Sequence, residues 1–347
     1  MATKNFPTVS ILIPTLNAKD VLKSCLASIA MQNYPKDKIE IIISDGGSTD
    51  GTVELAKEYG AKVVSNKLKT AEAGKMVALN AAKGDYIALI DSDNILPTTS
   101  WLKEMIVPLQ EHTQAVGGEP WKYTWRKQDG FITRYCALIG MNDPFVHFLG
   151  NYDRVNLLTG KWTQVLCKER DFGKYILAEF TKNEGIPTIG ANGTVFKADF
   201  LKQNARGEYL FDIDILHEAL SSRGKLEFIK VKNGIIHTFC ESNVSKFARK
   251  QRRRVKDFLY HKSVDERSYD WDSVGKNKTS VGFLKFFVSC ITVFPLVYQS
   301  FQGYRKKRDI AWFFHPLACE ITLWEYGWGF VLSLFKQEQI SRDRWGQ

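Results

Sequence analysis

Asp91-Ser92-Asp93 places two carboxylates two residues apart, directly after an apolar run at residues 86–90. In extended backbone, residues i and i+2 point to the same side, so both acids can face one pocket. Such a pair suits a hard divalent cation, which takes oxygen ligands and shares them with substrate phosphates. Two earlier apolar runs also end in polar residues. Residues 9–13 lead into Pro14-Thr15-Leu16-Asn17, and residues 39–44 lead into Asp45-Gly46-Gly47-Ser48. A carboxylate at such an end can accept hydrogen bonds from a nucleotide base or ribose. Neither segment contains the GxxxxGK[ST] phosphate loop or the GxGxxG dinucleotide fingerprint. This argues against an NTPase and against a dehydrogenase.

The elements that must position these groups alternate cleanly. Apolar strand patterns at 9–13, 39–44, 61–65 and 86–90 are separated by helical patterns at 20–31, 52–59 and 75–82. Asp50 is a candidate N-cap for the second helix. Strand–helix alternation with apolar strands predicts an α/β fold with a buried, mostly parallel sheet flanked by helices. Ligands of such sheets bind beyond the carboxyl ends of the strands. Asp45, Asp91 and Asp93 all fall there. Residues from about 121 to 181 are less regular and read as a helical or loop insertion over the sheet edge. Strand patterns return at 188–196 and 225–231. Asp212 and Asp214 sit where a helix begins, a position that favours acidic residues for structural reasons alone.

With 347 residues, 44% of them hydrophobic and 25% charged, the chain is neither disordered nor fibrous. Its formal net charge of +10 favours a polyanionic or membrane-surface partner. Six scattered cysteines without a CxxC pair exclude a zinc module and fit a reduced, cytosolic compartment. The N-terminal apolar run is too short for a signal-peptide core.

Three blocks in this order, Ile13-Pro14-Thr15-Leu16-Asn17, Asp45-Gly46-Gly47-Ser48-Thr49-Asp50-Gly51-Thr52 and Asp91-Ser92-Asp93-Asn94, resemble family 2 glycosyltransferases. The resemblance covers roughly residues 8–240. It implies the GT-A fold, a nucleotide-diphosphate sugar donor, a divalent cation (Mg²⁺ or Mn²⁺) and inversion at the anomeric carbon. It also implies roles for matching residues. Pro14, Thr15, Asn17, Asp45, Gly46, Asp91 and Ser92 would form the nucleotide-sugar pocket, with Asp45 on the base. Asp93 would hold the metal, with Asp91 and His237 as further candidates. Gly190-Ala191-Asn192-Gly193 resembles the segment near the acceptor. Leu210-Phe211-Asp212-Ile213-Asp214-Ile215 resembles the block that supplies the catalytic base. Phe211 stands where Glu is usual, so Asp212 aligns with the base and Asp214 competes with it. Gln251-Arg252-Arg253-Arg254-Val255 resembles the Gln-x-x-Arg-Trp block of processive members, with Val255 in place of Trp. That departure points to a non-processive enzyme, with Arg252 and Arg254 at the diphosphate or at anionic lipid.

The chain past residue 240 changes character. Seven of the eleven residues at 246–256 are Lys or Arg, residues 286–304 carry no charge, and Arg305-Lys306-Lys307-Arg308 follows. This divides the protein into a catalytic domain (1–240), a basic connecting segment (241–270) and a membrane-associating helical region (271–347). Trp312, Trp324 and Trp328 with flanking Lys and Arg suit a bilayer interface, so in-plane helices are expected rather than a spanning hairpin. The expected setting is the cytoplasmic face of the cell membrane, and the expected acceptor is a lipid-linked glycan or a polyisoprenyl phosphate. No nucleic-acid partner is expected, because no RNA or DNA motif accompanies the basic run. Two rivals remain: a nucleotidyltransferase on a similar sheet, which needs a basic Gly-rich loop that residues 14–17 do not supply, and a non-enzymatic basic module binding membrane or nucleic acid.

Overall fold

The computed structural model describes residues 6–269 and 276–335. Strands β1 (Val9–Thr15), β2 (Ile39–Asp45), β3 (Lys62–Ser65) and β4 (Tyr86–Leu89) alternate with helices α1 (Lys19–Ala30), α2 (Thr52–Glu58) and α3 (Ala71–Ala81). These four strands pair in parallel, in the order β3-β2-β1-β4. Their apolar runs are continuous because both faces are covered. Ile11 and Ile13 join a cluster with Leu22, Leu26 and Trp101, whereas the intervening Leu12 joins Leu89, Phe196 and Phe228 on the opposite side.

The chain continues through β5 (Asn94–Ile95), α4 (Trp101–Glu111), β6 (Gly117–Thr124), α5 (Phe131–Ile139), α6 (Phe145–Leu149), β7 (Lys168–Asp171), β8 (Tyr175–Thr181), β9 (Thr194–Lys197), α7 (Ala198–Asn204), α8 (Asp212–Arg223) and β10 (Lys225–His237). The sheet extends past β4 as β9-β6-β10-β8-β7, and β5 pairs with the end of β10. β9 runs antiparallel to both β4 and β6, and β8 antiparallel to β10 and β7. The sheet as a whole is therefore mixed. The parallel half is the part built from strand–helix alternation.

Several boundaries differ from those read in the sequence. Strand β9 begins at Thr194 rather than at residue 188, and β10 runs past residue 231 to His237. Helix α3 starts four residues earlier than residue 75, because the Thr70 hydroxyl caps it by accepting from the Ala73 N–H at 3.1 Å. Residues 121–181 are not an insertion outside the sheet. β6 runs through Thr124, and β7 and β8 form the far edge of the sheet. Residues 244–263, expected as part of a connector, form the helix α9 (Val244–Ser263), capped by Asn243 accepting from the Lys246 N–H at 2.8 Å.

Three more helices follow: α10 (Lys276–Thr292), α11 (Phe294–Lys306) and α12 (His315–Ser333). They pack onto the catalytic domain. Trp312, Phe314 and Ala318 share a buried cluster with Tyr135, Leu138 and Phe247. Trp312 is fully buried, with its ring against Gly303, so it does not face a bilayer as the sequence suggested. No single described helix is long and apolar enough to cross a membrane. The pair Lys278–Thr292 and Phe294–Lys306 passes together but is bent by 96°. Residues 271–275 and 336–347 of the expected C-terminal region lie outside the described residues.

Candidate active site

The register of the parallel strands brings the acidic strand ends together. Thr15 of β1 lies beside Asp45 of β2, and Leu12 of β1 beside Leu89 of β4, two residues before Asp91. Asp45 organises its own turn. Its carboxylate accepts from the Thr15 hydroxyl at 3.0 Å, from the Gly47 and Ser48 N–H groups at 2.8 Å each, and from the Ser48 hydroxyl at 2.6 Å. Asn17, in the left-handed region at φ 49°, binds the same turn. Its N–H donates to the Ser48 hydroxyl and its side-chain oxygen accepts from the Thr49 N–H. Gly46 donates its N–H to the Thr15 carbonyl. Pro14 lies under α3, where a methyl group added at Gly74 would meet Pro14 Cβ at 2.9 Å. Pro14, Thr15, Asn17, Asp45 and Gly46 thus form one rigid double turn. Asp50 joins the starts of two helices, accepting from the Thr52 N–H at 3.0 Å and from the Lys19 N–H of α1 at 3.0 Å, while Gly51 takes the N-cap position of α2.

The second turn is Asp91 to Asn94. The Asn94 side-chain oxygen accepts from the Asp91 N–H at 3.0 Å, and its N–H donates to the Asp91 carbonyl at 2.9 Å. Ser92 is half-buried between the two acids. Pairing of β5 with β10 sets Asn94 opposite His237, and this register carries His237 Nε2 to 3.2 Å from Asp93 Oδ1. On the other side of Asp93, Lys250 Nζ lies 3.5 Å from Oδ2. Burial works against the Asp93 charge, but His237 and Lys250 outweigh it and hold the carboxyl well below the ordinary range. Asp91 shows the opposite balance. Burial raises its pKa, Lys75 opposes that, and the charge of Asp93 adds to the rise.

His237 Nδ1 lies 3.2 Å from the Asn142 amide. That amide can present either its donor or its acceptor end by rotation, and so supports either imidazole tautomer. A carboxylate and an imidazole side by side, next to a second carboxylate whose charge is poorly compensated, fit a divalent cation that accepts oxygen and nitrogen. Among the described residues no group of three or more His, Cys, Asp or Glu is already arranged to hold an ion. Oxygens from a phosphate ligand would have to complete the shell.

Asp212 and Asp214 begin α8 and have different surroundings. Asp214 is consumed by structure. It accepts from the Ser268 N–H at 2.7 Å and the Tyr269 N–H at 2.9 Å, and it pairs with Arg267 at 2.7 Å. Among the described residues Asp212 has one ion-pair partner, the buried Lys75 Nζ at 3.4 Å. Burial disfavours the Lys75 charge, but Asp212, Asp91 and Glu72 together raise its pKa. Lys75 therefore ties the Asp212 site electrostatically to Asp91. A methyl group added at Gly190 would sit 4.0 Å from Asp212 Oδ2, so the 190–193 segment borders the acid. Asn192 joins that segment to the Asp91 turn by accepting from the Asn94 amide at 3.0 Å, while the buried Arg154 donates to its carbonyl. Ala191 is buried, and Gly193 (φ 82°) fits close under Trp101 and Ile235.

Arg252 and Arg254 do not face the acids. Arg252 makes two 2.7 Å bonds to Glu325 of α12. Arg254 reaches the Asn142 carbonyl at 3.5 Å and Asp143 at 3.8 Å. A helix presents residues three and four apart on one face, and the face of α9 that carries Arg252 is occupied by α12, against which Val255 also packs through Gly329. Lys250 is the member of the basic run that reaches Asp93. Lys250, Lys75 and Asn142 carry no motif that marks them in the sequence. A lysine amid small apolar residues at 71–82 was the only legible signal, and it pointed to Lys75 alone.

A mixed sheet with a parallel N-terminal half and acidic turns at the ends of β2 and β4 is the framework of GT-A glycosyltransferases. The chain belongs to glycosyl transferase family 2, whose family model matches residues 10–203, more than half of the sequence. It is similar to glycosyltransferase AglE of Haloferax volcanii, with 29% identity over 146 residues, 40% of this chain and 47% of that protein. It is also similar to the poly(ribitol-phosphate) beta-N-acetylglucosaminyltransferase TarS of Staphylococcus aureus, with 30% identity over 109 residues, 30% of this chain and 19% of that protein. The match therefore spans less than half the length of either relative. Among solved structures, a mannosyltransferase from Pyrobaculum calidifontis in complex with GDP-Man and Mn²⁺ shares the fold. Its TM-score is 0.53 at 13% identity, covering 94% of this chain and 88% of that one.

Proposed function

We propose that the protein is an inverting, metal-dependent glycosyltransferase that moves a sugar from a nucleotide-diphosphate sugar to an acceptor hydroxyl or phosphate at a membrane surface. The observation that carries this is the division of labour among the acids. Asp93 lies beside His237, and Asp212, unlike Asp214, is not absorbed by backbone contacts. Asp212 would take the proton from the acceptor hydroxyl as it attacks the anomeric carbon. Asp212 stands at the N-terminus of α8 with Lys75 Nζ 3.4 Å away. Gly190, with no side chain, leaves room for an acceptor beside Asp212. Asp93, with His237 and Asp91 as further candidates, would hold the cation together with phosphate oxygens, and when bound it neutralises charge on the diphosphate. The imidazole favours Mn²⁺ over Mg²⁺, which prefers oxygen alone, and Mn²⁺ is the ion in the similar mannosyltransferase. The double turn of Pro14, Thr15, Asn17, Asp45 and Gly46 would receive the nucleotide. Holding both reactants in line supplies much of the acceleration.

The membrane assignment rests on a different observation. Phe283, Leu284, Ile291, Phe294, Tyr298 and Phe301 of α10 and α11 are exposed, as are Trp324, Trp328 and Phe330 of α12. So many exposed large apolar side chains on three helices packed together mark an interaction surface. With Arg305 and Arg308 exposed beside it, this face suits an anionic bilayer entered in plane, at the cytoplasmic side of the cell membrane. A lipid-linked glycan or polyisoprenyl phosphate acceptor follows from that setting. The deciding experiment measures nucleoside diphosphate released from a panel of sugar nucleotides with Mn²⁺ and membrane lipid extract. Release that depends on both Asp93 and Asp212 is expected. No release from any donor would overturn the proposal.

A further inference from the structure

Lys250 belongs to the basic run at 246–256, but its ammonium is turned inward. Nζ donates to the Phe239 carbonyl at 2.8 Å, lies 4.0 Å from the centre of the Phe239 ring and stands 3.5 Å from Asp93 Oδ2. An ammonium has three donors. Both Phe239 contacts are made by the ammonium itself, while its contact to Asp93 is long for a charge-assisted hydrogen bond, which is usually near 2.7–2.9 Å. The ammonium is thus held beside Phe239 and only loosely paired with Asp93. Of the other candidates for an anion, Arg252 is committed to Glu325, and Arg254 donates to the Gln251 side-chain oxygen.

A divalent cation arriving at Asp93 would repel an ammonium already paired with the same carboxylate. A nucleotide diphosphate arriving with it would bring phosphate oxygens to the same end of the sheet. We propose that Lys250 is a diphosphate-binding residue that exchanges partners: it neutralises Asp93 in the empty enzyme and moves to the phosphate oxygens when cation and donor bind. This rests on the glycosyl-transfer proposal above and adds a residue and an order of events to it. Lysine suits the task because its point charge sits on a flexible four-carbon stem. Lys246, one turn earlier on α9, adds positive field at Asp93.

Two measurements on the full-length protein test this. The first is Mn²⁺ binding alone, followed by electron paramagnetic resonance. Lys250→Met should bind Mn²⁺ several-fold more tightly than wild type, because the competing ammonium is gone. Tighter binding also certifies that the variant's site is folded. The second is calorimetric binding of UDP and of GDP with Mn²⁺ saturating. Lys250→Met should weaken whichever nucleotide binds wild type by ~10-fold or more, the scale of one hydrogen bond to a charged group. Lys250→Arg should recover part of that loss, and Lys256→Met, on the same helix, should behave as wild type. If wild type binds neither nucleotide, the glycosyl-transfer proposal fails and this one with it. If wild type binds and Lys250→Met binds equally well, this inference alone is overturned. Weaker Mn²⁺ binding in Lys250→Met would overturn the exchange and leave the lysine a structural support for Asp93.

Discussion

Two neighbouring aspartates on one helix turn illustrate how little residue type says about role. Asp214 gathers two backbone N–H groups and Arg267, and so staples residues 267–269 to α8. Asp212, among the described residues, pairs with Lys75 and borders Gly190, where an added methyl group would lie 4.0 Å from its carboxylate. Asp212→Asn is expected to lower turnover by ~10²-fold or more, as loss of a general base does, while donor affinity and melting temperature hold. Asp214→Asn should do the reverse, costing ~1–3 kcal/mol of stability through unsatisfied buried partners with little loss of turnover per folded molecule. Steady-state kinetics beside thermal unfolding separates the two, and a swapped pattern would transfer the base to Asp214. Asp93→Ala should abolish Mn²⁺ binding and turnover without unfolding the protein, since the residue sits in a turn at a strand end. Near-wild-type turnover at saturating donor would remove Asp93 from the metal site.

At the scale of elements, the C-terminal helices are docked by close packing and by buried neutral histidines. A methyl group added at Gly303 would lie 2.4–2.6 Å from the Trp312 ring, so Gly303→Ala must shift a large fully buried side chain. Overpacking of this kind costs ~1–3 kcal/mol, readable as a lowered melting temperature. Between α5, α6, α11 and α12, His315 is bonded to the Tyr135 hydroxyl and the Gln299 side chain and lies 3.8 Å from Cys319, while His147 meets Asn156. Burial lowers His147 to about 4 and His315 to about 3, with His147 adding to the second shift. A histidine whose folded pKa is depressed stabilises the fold fully above the unfolded value of ~6.5, and that contribution drains away as pH falls towards the folded value. Stability should therefore decline between about pH 6.5 and pH 4, and His315→Gln should flatten that decline in denaturant titrations across the window. An unchanged slope would mean that other groups control it.

The whole molecule presents an acidic site at one end of a sheet and an exposed apolar face on helices packed against the same domain. Because Trp312, Phe314 and Ala318 share a core with Tyr135 and Phe247, deleting everything after residue 271 would strip that core as well as the apolar face. Surface substitutions are the cleaner test. Phe294, 75% exposed, and Trp324, 70% exposed, contribute little to the fold but much to an inserted face. Phe294→Glu with Trp324→Glu should reduce partitioning onto anionic vesicles by ~10-fold or more, since burying each ring is worth ~1.5–3 kcal/mol. Binding should also weaken with salt, because each basic residue near an anionic leaflet adds ~1 kcal/mol. Equal partitioning of the double variant would dismiss this face as the anchor.

The sequence by itself determined the parallel half of the sheet and the acidic turns at its edge. Those depend on local pattern: apolar runs that end in Asp, Asn and Gly, separated by helices of fitting length. It also marked His237, Asp212 and the Gly190–Gly193 segment, through resemblance more than pattern. Tertiary structure alone decided how these converge. Strand β9 pairs with β4 and β6, and β8 with β10, across long stretches of chain, and such pairings leave no periodic signal in either segment. His237 reaches Asp93 only because β5 and β10 pair in one register. The basic run at 246–256 looks uniform as text, yet a helix sends its residues to different neighbours. Lys250 meets Asp93, Arg252 meets Glu325 and Arg254 meets Asp143. The same physics buried Trp312 and left Trp324 and Trp328 outside, since a tryptophan's place is set by which face of its element the domain covers.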